Sequence, residues 1–424
     1  MSEFDFSPPR GMRDFYPEDM TLRNAIFSIW RSVARSHCFQ EYDSCVVEKL
    51  DLLKRKAGEE IVEQIYYFSD KSGRELALRP EMTPTLARMI SARHNILKFP
   101  LKWFCIAQCF RYERMSRGRK REHYQWNLDI VGEPSITAEA ELLTTASEAL
   151  LALGLTKTEF IINVNSRKLL GEMMEKGGIA QQLWERLFLA IDKRGKIPEE
   201  TLLAMLAEAG LTSAQIDYVF KILQINSLDE AGSIVGESSA GLKELRYLLE
   251  LMNANGLGDV IKFDISVVRG LSYYTGIVFE CFDSQRKFRA IFGGGRYDNL
   301  FSTMANRSLP AAGLGFGDVV ITEILTEKGY KPPSDNIETI VIGYYSEEQT
   351  MLVIKLANAF RKRGKSVNLS LHSEKPSAFF SRAGSSGAQY ATFVGPDEMK
   401  TGTLRIKNLA TRTEEVHQIS EFLE

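Results

Sequence analysis

Residues 101–132 read LKWFCIAQCFRYERMSRGRKREHYQWNLDIVG. Stretches 101–113 and 123–132 read as two long strands, and the basic segment between them reads as their connecting loop. Alternate side chains of a strand share a face. Arg111 and Glu113 therefore point one way and Phe110 and Tyr112 the other, while Gln125, Asn127 and Asp129 lie opposite Tyr124, Trp126, Leu128 and Ile130. Paired as a hairpin, the strands offer one apolar face for packing and one face of Arg, Glu, Gln, Asn and Asp. Arg114, Arg117, Arg119, Lys120 and Arg121 crowd the loop. Guanidinium forks bind phosphate oxygens bidentately and carboxylates take an ammonium group, so this surface suits a small zwitterion together with a polyphosphate. A solvated sheet face beside a basic turn is the plainer alternative; polar residues in phase on both strands weigh against it.

Working outward, 17–39 has apolar residues at helical spacing after Pro17, and 65–70 and 75–79 read as strands around Lys71-Ser72-Gly73. Thr83-Pro84 is a helix entry. Stretch 139–153 reads as a helix and 159–165 as a strand. From 166 to 257 Leu, Ala, Glu and Lys dominate, and short helical runs are punctuated by Gly177-Gly178, Gly210 and Gly232, as in an inserted helical subdomain. Strand-like text resumes at 260–268, 275–282 and 287–292, followed by a glycine-rich run to Gly317. Pro332-Pro333-Ser334-Asp335 reads as a linker. Beyond it, strand candidates at 339–345, 366–371, 390–394 and 403–409 alternate with helices, the pattern of a small α/β domain. No internal repeat is found.

Composition narrows the function classes. The 424 residues are 44% hydrophobic and 25% charged, an ordinary globular balance. No apolar run approaches the ~18–20 residues a membrane span needs, and the N-terminus MSEFDFSPPRGMRDF lacks the apolar core of a secretory signal. Five cysteines without CxxC spacing argue against a disulfide framework or zinc ribbon and point to a reducing cytoplasm. With Lys+Arg 53 against Asp+Glu 55, any polyanion site must be a local patch.

Further candidates lie outside the hairpin. Glu81-Met82-Thr83 sits where a strand hands over to a helix, so the Glu81 carboxylate and Thr83 hydroxyl share a face and can meet one ligand. Equally, Thr83 can cap the helix and Glu81 gain from its dipole. Arg269 ends an apolar strand before Gly270, with Tyr273 and Tyr274 close behind; it can face a reaction centre or serve a structural ion pair. Neither glycine-rich segment is a GxGxxG opening a helix or a GxxxxGK[ST], so a Rossmann site or P-loop is poorly supported. His37, His94, His123, His372 and His417 form no metal-binding pattern, and no metal site is expected. Cys105 and Cys109 share a strand face as core fillers, and no GxSxG elbow occurs.

Together, FRYER (110–114), the basic loop and YQWNLD (124–129) resemble motif 2 of class II aminoacyl-tRNA synthetases. VRGLSYYTG (268–276) and GGRYD (294–298) resemble signatures of the histidyl-tRNA synthetase family, as do PRGMRDFYP (9–17) and RPEMT (79–83). The resemblance spans essentially the whole chain. It implies an α+β fold: a class II antiparallel sheet core in 1–331, a helical insertion at 166–257, and a C-terminal α/β anticodon-binding domain at 336–424, in a homodimer. It implies ATP-dependent activation of L-histidine to histidyl-adenylate, with Mg2+, then transfer to the 3′ end of the histidine tRNA; no membrane partner is expected. Carried over residue by residue, Glu81, Met82, Thr83, Arg111, Gln125, Asp129, Arg269, Tyr273 and Tyr274 would hold histidine. Arg111, Glu113, Arg119 and Arg121 would hold ATP, with Glu113 on the adenine amino group. Arg269 and Arg111 would be catalytic, Arg269 stabilising the pentacovalent α-phosphate. The chain departs from the family pattern at Cys45 (usually proline), at Ser272 (commonly aspartate) and at Val320 in motif 3, where an arginine normally stacks on adenine. That last departure leaves the adenine ring to another cation or leaves ATP more weakly held. The alternative reading is a synthetase-like, histidine-sensing regulatory subunit of ATP phosphoribosyltransferase; such subunits typically lose the signature arginine and the anticodon-binding domain, and this chain has Arg269 and roughly 90 residues after the linker.

Overall fold

The computed structural model describes residues 5–54, 62–195, 197–269, 273–305, 308–333 and 337–423. Gly270, Ser272 and the linker residues Ser334 and Asp335 lie outside them. The chain divides into two units, Met1–Pro332 and Pro333–Glu424.

The first unit is built on an eight-stranded sheet ordered Gln40–Glu41, Leu101–Phe110, Glu122–Val131, Ala311–Gly317, Phe292–Arg296, Ile277–Asp283, Phe160–Ser166, Ile261–Phe263. Its interior pairings are antiparallel and only the two edge strands pair in parallel. The hairpin expected at 101–132 is present in full register, from Leu101 opposite Val131 to Phe110 opposite Glu122. It is shorter at the loop end than the sequence reading had it. Backbone pairing stops at Phe110, and the amides of Arg111 and Tyr112 instead bond Arg121 and Gln64. Tyr112 consequently does not join the apolar face; it stays exposed beneath the Arg121 guanidinium, 3.9 Å from its ring centroid.

The apolar face of the hairpin packs on the helix Pro17–Ser36, which buries Ile26, Phe27, Trp30 and Ala34. Trp30 stacks on Trp126 at 5.6 Å and tilts against Phe316 at 5.1 Å. Each such aromatic contributes roughly 2–3 kcal/mol through burial alone. The polar face is thereby left as the opposite surface of the sheet. A second sheet of three short antiparallel strands, Val47–Lys49, Tyr67–Ser69 and Glu75–Leu78, delivers the chain to the helix Thr83–Arg93. Six α-helices between Arg167 and Ala254 form the expected helical stretch, and their buried residues continue the same apolar core as the sheet.

Two expectations change. Segment 287–292 is not a strand; Asp283 accepts the amides of Lys287 and Phe288 and turns the chain, so pairing begins only at Phe292. The glycine run 293–295 is itself a central strand, bonded on both sides and fully buried. Here the absence of side chains is a packing requirement, since a Cβ on Gly294 would lie 2.1 Å from the Gly313 carbonyl oxygen.

The second unit has a five-stranded sheet ordered Ser366–Leu369, Thr339–Tyr344, Tyr390–Val394, Thr403–Asn408, Glu414–Gln418, parallel across its first three strands and antiparallel thereafter. Helices Thr350–Lys362 and Pro376–Gly384 cover its apolar faces. The fifth strand, EEVHQ, escaped the sequence reading because it is an exposed edge with a single half-buried side chain and no apolar alternation.

Candidate active site

The polar face of the hairpin is continuous with a floor of glycines, and the site is laid on that floor. Gly315 lies under the Gln125 amide, Gly313 under the Asp129 carboxylate and Gly293 under the Arg269 guanidinium. A Cβ at these glycines would approach Gln125 Nε2 to 2.5 Å, Asp129 Oδ1 to 2.2 Å and Arg269 Nη1 to 2.6 Å. Three polar side chains thus lie flat on the sheet because three strand positions have given up their own.

Around them stand the other candidates. Glu81 is 5% exposed, accepts a hydrogen bond at Oε2 from the Tyr273 hydroxyl (3.2 Å), and among the described residues has no partner at Oε1. Burial raises its pKa against the pull of Arg111, the Tyr273 hydrogen bond and Arg269. An orphaned buried carboxylate oxygen costs on the order of 1–3 kcal/mol, which a cationic ligand would return. Asp129, also buried, accepts from the Tyr297 hydroxyl, and burial pushes its pKa up to about 7 despite that bond. Tyr273 and Tyr274 are 8% exposed and pack against each other at 4.9 Å. Thr83 stands beside the Tyr273 hydroxyl instead of capping its helix. Met82 is 1% exposed, packed with Cys105, Ala107 and Cys109. Those residues pair with Asn127, Gln125 and His123, so Met82 covers the outer end of the same sheet face and offers a ligand only apolar surface.

Arg269 adopts φ +62°, a conformation costing a non-glycine residue roughly 1–2 kcal/mol. Arg167 holds it there, donating to the carbonyls of Arg269 (2.5 Å), Val268 (3.2 Å) and Tyr274 (3.2 Å). Arg269 pairs with Glu280, the residue opposite Gly293 in the sheet, while its Nε has no hydrogen-bond partner among the described residues. Burial works against its charge, yet Glu280 and Tyr274 hold its pKa above the ordinary arginine value. It is a permanent, half-committed cation aimed over the glycine floor.

The loop side carries the remaining arginines. Arg111 donates from Nε to the Pro80 carbonyl (2.9 Å) and stands 3.9 Å from Glu113. Arg119 Nε pairs with Glu113 at 2.5 Å. Arg121 donates to the Glu113 carbonyl (3.2 Å), while its backbone amide bonds the Gly11 carbonyl. The N-terminal PRGMRDF stretch is therefore a brace: Arg13 reaches Asp318 (2.9 Å) and the Glu122 carbonyl (3.3 Å), and a Cβ on Gly11 would strike the Arg121 stem at 2.8 Å. Arg10, Tyr112, Glu113, Arg114, Met115 and Arg121 line an open cleft. Arg117 is withdrawn from it, paired with Glu323 (3.4 Å) and Glu327 (3.2 Å), so the loop is less free in charge than its sequence implies. His123 is held neutral, its pKa pushed down to about 3 by burial and by Arg111, Arg13 and Arg119.

Tyr297, Glu280 and Arg167 are functional neighbours that the residue pattern did not single out. The first follows the glycine strand in GGRYD, and strand alternation from Gly293 and Gly295 was the available signal. The other two need the register and the long-range fold. Arg296 in the same motif is structural: it binds Glu139 through two 2.6 Å contacts, both residues being buried. Val320 is 5% exposed in the core, where no charged side chain fits without loss.

A family model described as histidyl-tRNA synthetase matches residues 11–317, and one described as anticodon binding domain matches residues 336–424. The chain is 43% identical over 410 residues to the chloroplastic/mitochondrial histidine–tRNA ligase of Arabidopsis thaliana, covering 96% of this chain and 84% of that protein. It is 39% identical over 422 residues to the histidine–tRNA ligase of Leptospira biflexa, covering 98% and 96%. The crystal structure of histidyl-tRNA synthetase from Nostoc sp. PCC 7120 has the same fold, with a TM-score of 0.78 at 22% identity and 99% of each chain covered. Family models over most of its length and full-length relatives at this identity together place the chain in the histidyl-tRNA synthetase family.

Proposed function

We propose that the chain is a histidine–tRNA ligase acting in two steps. The histidine carboxylate attacks the α-phosphorus of ATP, the bond to the bridging oxygen breaks, and pyrophosphate leaves with the electron pair. A hydroxyl of the terminal tRNA ribose then attacks the carbonyl carbon of histidyl-adenylate, and AMP leaves. The observation that carries this reading is the joint placement of Gln125, Asp129 and Arg269 on the glycine floor, beside the unpartnered oxygen of Glu81.

In this reading Glu81 Oε1 and Gln125 receive the α-ammonium group of histidine, and Asp129, fixed by Tyr297, takes an N–H of the ligand. Thr83, Tyr273 and Tyr274 close the side-chain pocket, with Met82 as an apolar wall. Arg111, on the border between the two ligand regions, bridges carboxylate and α-phosphate. Glu113 accepts the adenine amino group, and Arg119 and Arg121 meet the distal phosphates. Attack by a carboxylate needs no general base; it needs alignment and compensation of charge on the non-bridging oxygens. A fixed, permanently charged Arg269 with an open Nε supplies that compensation, which fits a site rich in arginine and served by a neutral His123.

Magnesium enters as part of the nucleotide substrate. Among the described residues no three His, Cys, Asp or Glu side chains gather to hold a metal by themselves, and no step here is routed through it. We place the ligase in the cytoplasm as a homodimer: the first rests on five unpaired cysteines, the second on the family. Among the described residues no helix is long and apolar enough to cross a membrane. The test is charging of histidine tRNA with labelled histidine. ATP-dependent, histidine-specific acid-precipitable label is expected; histidine binding without any charging would favour the regulatory-subunit reading.

A further inference from the structure

Motif 3 leaves the adenine ring without its usual cation, because position 320 is a buried valine. The space beside Val320 is nevertheless occupied by a cation from elsewhere in the chain. A Cβ on Gly118, in the basic loop, would lie 3.3 Å from Val320 Cγ2, 3.5 Å from Arg289 Cδ and 3.6 Å from Arg289 Cβ. The stem of Arg289 and the Val320 side chain therefore both lie against the same point of the loop backbone, at Gly118. It reaches that place because Asp283 turns segment 284–290 and keeps it out of the sheet.

The cations around Arg289 already have anions. Lys287 pairs with Glu327, Arg117 with Glu323 and Glu327, Arg119 with Glu113, and Arg286 with Asp264 at 3.7 Å. Arg289 makes no hydrogen bond or ion pair among the described residues and is exposed. Its titration is shifted down by burial of part of the side chain and by Arg119, and drawn back by Glu113, so the guanidinium is electrostatically coupled to both. Glu113 itself is 8% exposed. A guanidinium with no ion pair among the described residues, its stem packed on the same loop position as Val320 and within electrostatic reach of a carboxylate that can accept a purine amino group, has the chemistry to lie flat on that purine. Guanidinium planes are weakly hydrated and stack flat on aromatic faces more readily than the compact, strongly hydrated ammonium of lysine.

We infer that Arg289 is the cation that covers the adenine ring of ATP in this chain, supplied from the turn before the glycine strand because position 320 cannot supply it. This rests on the assignment of Glu113 and Arg119 to ATP, and the test separates the two. Pyrophosphate exchange is measured with Arg289→Ala, Arg289→Lys, Glu113→Ala and Arg119→Ala, together with inhibition by adenosine and by inorganic tripolyphosphate. Arg289→Ala should raise the KM for ATP roughly 3- to 30-fold, weaken adenosine by a similar factor, and leave tripolyphosphate inhibition and calorimetric histidine affinity unchanged. Arg289→Lys should not restore ATP. An exposed, unpartnered side chain should leave the melting temperature where it was. Equal weakening of tripolyphosphate, or rescue by lysine, would make Arg289 a phosphate contact and overturn the inference. An unchanged KM for ATP in Arg289→Ala, with Glu113→Ala and Arg119→Ala impaired, would overturn it while leaving the ATP site intact. If those two variants also bind ATP normally, the underlying assignment fails instead.

Discussion

The glycine floor can be tested by one methyl group. Gly315 lies in the strand Ala311–Gly317 with an ordinary strand conformation, and the three atoms nearest to a Cβ there all belong to the Gln125 side chain: Nε2 at 2.5 Å, Cδ at 2.6 Å and Oε1 at 3.1 Å. Gly315→Ala must therefore move the Gln125 amide first. The backbone cost is nil or favourable, since alanine is no worse than glycine in a strand interior. If Gln125 receives the ammonium group of histidine, displacing it forfeits a hydrogen bond to a charged group, worth about 1.5–3 kcal/mol. That is roughly a 10- to 150-fold rise in Kd, measured by calorimetry with an unchanged melting temperature. A double-mutant cycle sharpens the claim. Gln125→Ala alone should weaken histidine by the same range, and adding Gly315→Ala to it should cost almost nothing, because the side chain the methyl displaces has gone. Gly317→Ala, where a Cβ meets nothing within 4 Å, is the neutral control. Unchanged affinity in Gly315→Ala, or losses that simply add, would refute the placement of Gln125 over the floor as a histidine contact.

Arg269→Ala should abolish adenylate formation while histidine Kd stays within a few-fold by calorimetry; a large loss of histidine binding would assign Arg269 to the ground state. Asp129 carries a pKa raised to about 7 from 3.8, so folding binds protons between those values and its ionisation opposes folding as pH rises through them. Asp129→Asn should thus melt at nearly the same temperature as the parent below about pH 4 and higher than the parent at pH 8, with histidine binding weakened; a difference that shrinks with rising pH would reverse the assignment. Glu139→Ala removes the bidentate partner of the buried Arg296, leaving it Asp298 at 3.4 Å and two backbone carbonyls, and should cost about 3 kcal/mol in thermal or urea unfolding, against less than about 1 kcal/mol for Glu41→Ala at the exposed Arg31 pair.

Strand alternation around Trp126 was enough to place Gln125 and Asp129 on one face and the core on the other, because a buried face fixes register. The helix starting at Thr83 was legible from the proline in its first turn, and the run of helices after Arg167 from a composition rich in Leu, Ala, Glu and Lys broken by glycines. What sequence periodicity could not reach were features set by nonlocal geometry. Glycines 293–295 have no side chains to alternate, so the pattern left a central strand as an unassigned glycine-rich run. Tyr297, Glu280 and Arg167 act through partners 168, 11 and 102 residues away. Asp283 turned a segment whose composition reads as strand, and thereby delivered Arg289 to Val320.

The central claim is that this chain activates histidine with ATP, and it is tested most directly by ATP–pyrophosphate exchange against each of the twenty amino acids. Exchange is expected with histidine alone and should be eliminated by Arg269→Ala. Folded protein that binds histidine yet exchanges no pyrophosphate would contradict it.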